Sequence, residues 1–515
     1  MAGLAAGAAA EQVVLAAESQ AWASAHGVLM GASEAAHLCA HAPVTLLPTR
    51  VDRSAFQLAQ RLAQPYNTLV DRTARDLDWV YGVLSGVLEG DPFTARLVEL
   101  CRAVEAEGVV QRCYLGINRS DYMLDRGVSL LQVEINTIAA SFGCLSSRVS
   151  RLHRYLLERH GAGSALVREA LGGLSEQALA ALLPVALPTN GAEQGIARAL
   201  GTAAKLHRAR LSPDWLAALS PERRHHVLSQ RPLVIFVVQD GERNSFDQRW
   251  LEYELGAAHG VDVTRRSLGQ IRAQCRLEGA SRELLLGEQL VSVVYFRAGY
   301  TPTDYPSEAQ WEGRLLAERS GAIKCPCIQY HIVGAKKVQQ ALAKPGAVER
   351  FLDPAPAALV RSSFAGLWTL DAAEADEEAL RALAQAKADP SGFVVKPQRE
   401  GGGNNFYGAE ARKVLTTYSP KELASHILMQ RILPVAQDAL LMRKGDVVRG
   451  PALQELGIYG TFLGDGGEGG VLLNEQVGHL LRTKQVGVDE GGVAAGFSCL
   501  DSPFLIPHDE LLHGR

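Results

Sequence analysis

The chain has 515 residues, 47% of them hydrophobic and 21% charged, with a formal net charge of −4. That profile fits a soluble globular enzyme of two or three domains. The absence of a basic block argues against a nucleic-acid partner, and no apolar run reaches the roughly 18 residues of a membrane helix.

The alanine-rich N-terminus carries Glu11, Glu18 and Glu34 but no Lys or Arg before Arg50. Secretory signals need a positive start and transit peptides are Arg-rich. We therefore expect a short tail, a helix with Leu15 and Trp22 on one face ending at Gly27, and a cytoplasmic address. From there to about residue 230 the chain reads mainly as helix, interrupted by one strand at 130–136 on which Glu134 and Asn136 share a side. Residues 161–188 are apolar with helical spacing and lead into Pro188-Thr189-Asn190-Gly191, a turn signal that reads as a surface insertion.

A shift comes at Pro232. Residues 233–238 and 290–296 are short buried strands by length and β-branched content, with helical material between them. The pattern predicts a small α/β unit with a parallel sheet. Mixed helices and strands follow Pro345, including a strand at 393–396. The glycine run at 464–470 lacks Gly-Lys-Ser/Thr and reads as a flexible hairpin tip rather than a phosphate loop. Eight cysteines are scattered, and Cys325-Pro326-Cys327 has neither zinc nor thioredoxin spacing, so buried, reduced thiols are expected.

Four constellations carry chemistry. In the first, a strand ends at Lys396 and runs into Pro397-Gln398-Arg399-Glu400-Gly401-Gly402-Gly403-Asn404-Asn405. Glycines let backbone N–H groups approach phosphate oxygens, the lysine supplies a point charge, and Glu400 is a hard oxygen ligand suited to Mg²⁺. Three glycines alone fit a solvated turn better; the Lys and Glu tip the reading towards a nucleotide loop. Second, Glu134 and Asn136 project two oxygen ligands into one space, although a charged strand residue is usually just exposed. Third, Arg297 and Tyr300 follow a buried strand at the end where α/β sheets bind ligands; the Arg either clamps a carboxylate or snorkels at an edge. Fourth, Arg482 and Lys484 alternate onto one strand face as a positive patch beside the small-residue loop Gly491-Gly492-Val493-Ala494-Ala495-Gly496.

With the segments at 42–46, 66–71, 115–122, 134–141, 242–249, 336–340 and 455–458, these motifs resemble the eukaryotic glutathione synthetases of the ATP-grasp superfamily over nearly the whole chain. The resemblance implies an ATP-grasp type α/β fold with a small inserted parallel-sheet substrate domain and a glycine-rich lid. It divides the chain into a helix-rich N-terminal part of the body (1–231), an α/β substrate domain (232–336) and the remaining body (337–515) with a lid at about 370–450. It implies an ADP-forming ligase that joins glycine to γ-glutamylcysteine through an acyl phosphate, and a homodimer.

The same resemblance assigns roles. Glu134, Asn136 and Glu400 would hold two Mg²⁺ ions. ATP would be surrounded by Glu134, Lys336, residues 396–405, Tyr407, Met429, Gln430, Arg431, Ile432, Glu455, Lys484 and Glu490. The dipeptide would be bound by Arg119, Ala139, Ser141, Glu242, Asn244, Gln248, Arg297 and Tyr300, and Arg482, Val493 and Ala494 would border its glycine end. Arg482, Glu400 and Lys396 would carry the catalytic work, and the glycine loops would act as lids that exclude water. Three departures stand out. Ala139 replaces a common Ser, Ala298 replaces an acidic residue and so loosens Arg297, and Gln430-Arg431 replaces Glu-Lys. The rival readings are a β-alanine-using ligase, an inactive nucleotide-binding relative and a simple kinase. Val493-Ala494-Ala495 matches the glycine-using pattern, and the metal ligands and lysines are all present.

Overall fold

A computed structural model describes residues 2–32, 38–161, 163–400, 403–466, 470–488, 491–493, 496 and 498–508. Its centre is a seven-stranded sheet in the order 437–443, 44–45, 499–501, 471–485, 446–465, 113–125, 129–136. The two longest strands, Asp446–Asp465 and Val471–Gln485, form an antiparallel hairpin, the expected turn between strands, whose tip at 467–469 lies outside the described residues.

Strand alternation gives this sheet two unlike faces. On one, Tyr122, Leu456, Ile458 and Leu481 pack with Phe56, Ala59, Leu62 and Tyr66 of the helix Arg53–Arg75. That helix starts where the side chain of Asp52 accepts the amide of Ala55 at 2.7 Å, satisfying one of its free N–H groups. On the other face, register places Arg119 opposite Asn136, Asp121 opposite Glu134, and Glu455 opposite Arg482. Adjacent residues of one strand thus serve the core and the site.

A six-stranded sheet contains the two strands expected from sequence, Leu233–Val237 and Gln289–Phe296, paired in parallel. Asp262–Arg266 and Ile323–Cys325 extend it in parallel, while Glu283–Leu286 and Cys275–Glu278 add antiparallel strands. The segment between the expected strands is therefore not only helical. Asp262–Arg266 is an edge strand whose five residues are all half-buried, and with three charged residues among the five it lacks the continuous apolar run of a buried strand. A third, antiparallel sheet joins Leu367–Thr369, His426–Gln430 and Phe393–Pro397 and shares its own small core with the helices Glu377–Ala388 and Gly408–Thr417.

The N-terminal helix, Ala2–Ala25, buries Leu15, and Trp22 packs on the same core. Gly27 follows it at φ +64°, as a helix-terminating glycine should. The reading of one strand before residue 230 is corrected by Cys113–Asp125, a 13-residue strand at the heart of the central sheet. Nine of its residues, including Asn118, Arg119, Ser120 and Asp121, are buried on both faces, which erases alternation. The surface reading of Asn190 is also corrected. It is 7% exposed and its amide brackets His479, donating to its carbonyl at 2.7 Å and accepting its N–H at 3.1 Å. The eight cysteines are free thiols, and only Cys39 is exposed. No described helix is long and apolar enough to cross a membrane.

Candidate active site

The polar face of the central sheet, the third sheet and the loop at 138–142 enclose a cleft of about 220 Å³. Of the residues singled out in the sequence, Arg119, Glu134, Asn136, Ala139, Ser141, Tyr300, Lys336, Lys396, Arg399, Glu400, Asn404, Asn405, Tyr407, Glu455, Arg482, Lys484 and Val493 line it. Gly401, Gly402, Glu490 and Ala494 lie outside the described residues.

Lys336 opens the helix Lys336–Ala343 and is 2% exposed. Its Nζ sits 3.0 Å from Glu134 Oε2 and 3.0 Å from Glu400 Oε1. Two carboxylates far apart in the sequence thus turn towards one cation. Burial pushes the Glu134 carboxyl up, but Lys336 and Lys396 outweigh it and hold Glu134 far below the usual range. Glu400 goes the other way: burial, with the nearby Glu134 charge, raises it against the pull of Lys336. Lys396, lowered by burial, donates to the Val133 carbonyl at 2.9 Å.

The side-chain amide of Asn136 donates to the Arg119 carbonyl at 3.3 Å and to Asp121 Oδ2 at 3.0 Å. Both neighbours are acceptors only, which fixes the amide's orientation and leaves Oδ1 as the atom for a ligand. Among the described residues no cluster of three His, Cys, Asp or Glu could hold a metal. Glu134, Glu400 and Asn136 instead make the sparse oxygen set that suits Mg²⁺, which keeps several waters and takes further oxygens from phosphates.

Sequence reasoning missed Asp121. It is 1% exposed and grips Arg119 at both oxygens, 2.7 and 2.8 Å, while Oδ2 also accepts Arg482 at 3.0 Å. Gly457, opposite it, leaves the room: a Cβ there would come within 2.7 Å of Asp121 Oδ1 and 2.8 Å of Arg119 Cδ. Arg482 also pairs with Glu455. The positive patch expected from Arg482 and Lys484 is therefore corrected: Arg482 stands between two carboxylates.

Beyond the cleft's inner wall, Arg297 is 4% exposed. It donates to the Ala140 carbonyl (2.9 Å), Ser141 Oγ (2.8 Å) and Tyr295 Oη (3.2 Å), with Asp247 at 3.5 Å. The expectation that Ala298 loosens Arg297 is overturned by these four partners. Asp247, a second residue missed in sequence, accepts the amides of Phe142, Cys144 and Leu145 at 2.9–3.1 Å. It thereby fixes a loop in which Ala139 (φ +50°) and Phe142 (φ +72°) take left-handed conformations, a strain found at ligand-binding turns.

Other expected residues stand behind the cleft rather than in its wall. Glu242 accepts the amide of Asn244 at 2.8 Å and the side chain of Gln248 at 2.9 Å, and its charge is felt by both Arg297 and Tyr300. Pro397 ends its strand, and the side chain of Gln398 is consumed by Lys337 N (3.0 Å) and Ser425 O (3.2 Å). Met429 and Gln430 belong to the strand His426–Gln430, with Gln430 Oε1 accepting the amide of Gly366 at 3.0 Å. Arg431 and Ile432 follow it, and the Arg431 guanidinium lies 5.4 Å over the Tyr407 ring.

Residues 9–505 match a family model described as "Eukaryotic glutathione synthase, ATP binding domain". The chloroplastic glutathione synthetase of Solanum lycopersicum is 41% identical over 471 residues, 90% of this chain and 78% of that protein. The glutathione synthetase of Homo sapiens is 39% identical over 495 residues, 94% of this chain and 95% of that one. In fold, a glutathione synthetase-like effector from Globodera pallida superposes with a TM-score of 0.71 over 96% of this chain and 97% of that chain, at 19% identity.

Proposed function

The chain belongs to the family of eukaryotic glutathione synthetases, and on that premise we propose how its cleft performs the ligation. The activity is that of an ATP-dependent ligase joining glycine to γ-glutamylcysteine with release of ADP and phosphate. The observation that carries the mechanism is the meeting of Glu134 and Glu400 on Lys336, beside Arg482.

The cysteinyl carboxylate of γ-glutamylcysteine attacks the γ-phosphorus of ATP, forming an acyl phosphate and ADP. The glycine amine then attacks the activated carbonyl carbon and phosphate leaves with the former carboxylate oxygen. Such transfer needs positioning and charge stabilisation rather than a protein nucleophile. Arg119, Ser141, Arg297 and Tyr300 hold the dipeptide, with Glu242, Asn244 and Gln248 behind them. Lys336, Lys396 and Lys484 draw in the phosphates, and Arg482 offsets charge at the transferred group. Two Mg²⁺ ions held by Glu134, Asn136 and Glu400 would supply further charge neutralisation along the phosphates. Water must be kept from the acyl phosphate, which would otherwise hydrolyse; the glycine loops expected to do this lie largely outside the described residues. Two such chains form a homodimer, which light scattering would reveal as twice the chain mass.

The test is release of ADP and phosphate from ATP with γ-glutamylcysteine, with and without glycine. Sustained release of both requires dipeptide and glycine together; sustained ADP release with the dipeptide alone and no free phosphate would replace the ligase with a kinase. Substituting β-alanine for glycine should slow turnover, because one methylene is worth about 1–3 kcal/mol of discrimination.

A further inference from the structure

Behind the catalytic cleft, on the opposite face of the central sheet, lies a larger cavity of about 560 Å³ that the reaction does not use. Tyr122, Leu456 and Leu481 form its floor and alternate along their strands with Asp121, Glu455 and Arg482 of the cleft. Met123, at the sheet edge, lines both spaces.

Most of the cavity's charged groups are already matched. Arg449 takes Glu169 at 3.0 Å and Asp438 at 3.7 Å. The carboxylate of Asp52 is filled by Ser54 Oγ (2.5 Å), Ala55 N (2.7 Å) and His508 Nδ1 (2.5 Å). Arg50 is the exception. Its half-buried guanidinium has no hydrogen-bond or ion-pair partner among the described residues, and burial pushes its pKa down with no acid close enough to restore it. Its place is set by sterics: it lies against the backbone of Gly172, where a Cβ would come within 2.4 Å of Nη1.

A second donor is also unmatched. Gln437 Nε2 donates to the Arg50 carbonyl at 3.0 Å and to Gln454 Oε1 at 3.4 Å, which orients the Gln454 amide and leaves its buried Nε2 without an acceptor. The buried amide donor of Gln454 is costly to leave without an acceptor, and the half-buried Arg50, lining the same cavity, offers a positive charge to a ligand that enters it.

We propose that this cavity is a binding site for a small aliphatic monocarboxylate, its carboxylate on Arg50 and Gln454 and its chain along Leu130, Val435 and Leu456. One unmatched cation selects one negative charge, and its planar fork suits a carboxylate. Asp52, Glu169 and Asp438 repel a polyanion such as a nucleotide. The volume falls within the range of small-molecule sites, and the apolar walls need a hydrocarbon body.

Isothermal titration calorimetry on the full chain tests this, with octanoate as probe and octan-1-ol and inorganic phosphate as controls. Octanoate is expected to bind one-to-one with Kd below about 1 mM, each control at least about tenfold more weakly. Saturating ATP should not displace it. Arg50→Gln should weaken octanoate at least about tenfold while leaving ATP binding unchanged. Val435→Trp, which fills the cavity from its rim, should do the same by a route that leaves Arg50 in place. Octan-1-ol binding as well as octanoate, both variants binding at full affinity, or displacement of octanoate by ATP would overturn the proposal.

Discussion

The carboxylate of Asp121 joins Arg482 to Arg119: Oδ2 accepts one guanidinium at 3.0 Å and the other at 2.8 Å, while Oδ1 accepts Arg119 again at 2.7 Å. The group assigned to the transferred phosphate and the group assigned to the dipeptide therefore share one buried anion. Asn136, assigned to the metal, donates to the same oxygen. Three roles depend on one side chain that is itself not part of the cleft's lining.

Asp121→Asn keeps the shape and removes the charge. Hydrogen bonds to charged groups contribute about 1.5–3 kcal/mol, so kcat/KM should fall roughly 10–100-fold. The KM for γ-glutamylcysteine should rise more than that for ATP, and Asp121→Glu should recover part of the loss. A drop in melting temperature with both KM values unchanged would reduce Asp121 to a structural part.

Glu400→Gln leaves the amide able to meet Lys336 but weakens a hard-cation site. Turnover should fall, and the Mg²⁺ concentration for half-maximal rate should rise by roughly 10–100-fold. A titration with an unshifted Mg²⁺ midpoint contradicts the metal role.

Arg297→Ala empties a clamp held by Ala140, Ser141 and Tyr295. The dipeptide KM should rise by roughly 10–100-fold, the effect of losing a charge-assisted contact, with little change for ATP. Equal changes in both constants would remove Arg297 from the dipeptide site.

Asn190→Ala tests packing remote from chemistry. It orphans the buried N–H and C=O of His479, each worth about 1–3 kcal/mol. Differential scanning calorimetry should show a melting temperature lower by several degrees, with both KM values intact. An unchanged melting temperature contradicts the bracket.

Legibility in the sequence followed locality. Leu233–Val237 and Gln289–Phe296 were readable because they are continuous buried runs of β-branched and aromatic residues. Glu134 and Asn136 were readable as a same-side pair, and both line the cleft. Asp121 was not, because its strand is buried on both faces and Arg482, the partner that ties it to the site, lies 361 residues along the chain. Asp247 was hidden for a related reason. It supplies acceptors to the start of the helix Gly143–His160 from a distant segment, while Phe142 in the capping position makes no side-chain bond. Local patterns reveal caps and strands; they do not reveal which distant carboxylate a fold will use.

The central claim is that the dipeptide's own carboxylate oxygen is carried off on phosphate. Labelling the cysteinyl carboxylate of γ-glutamylcysteine with ¹⁸O and analysing the phosphate after turnover with ATP and glycine tests it directly. One labelled oxygen in each phosphate released is the predicted result. Phosphate that acquires its new oxygen from solvent water, with the oxygen lost from the carboxylate released as labelled water, would contradict an acyl phosphate on the path.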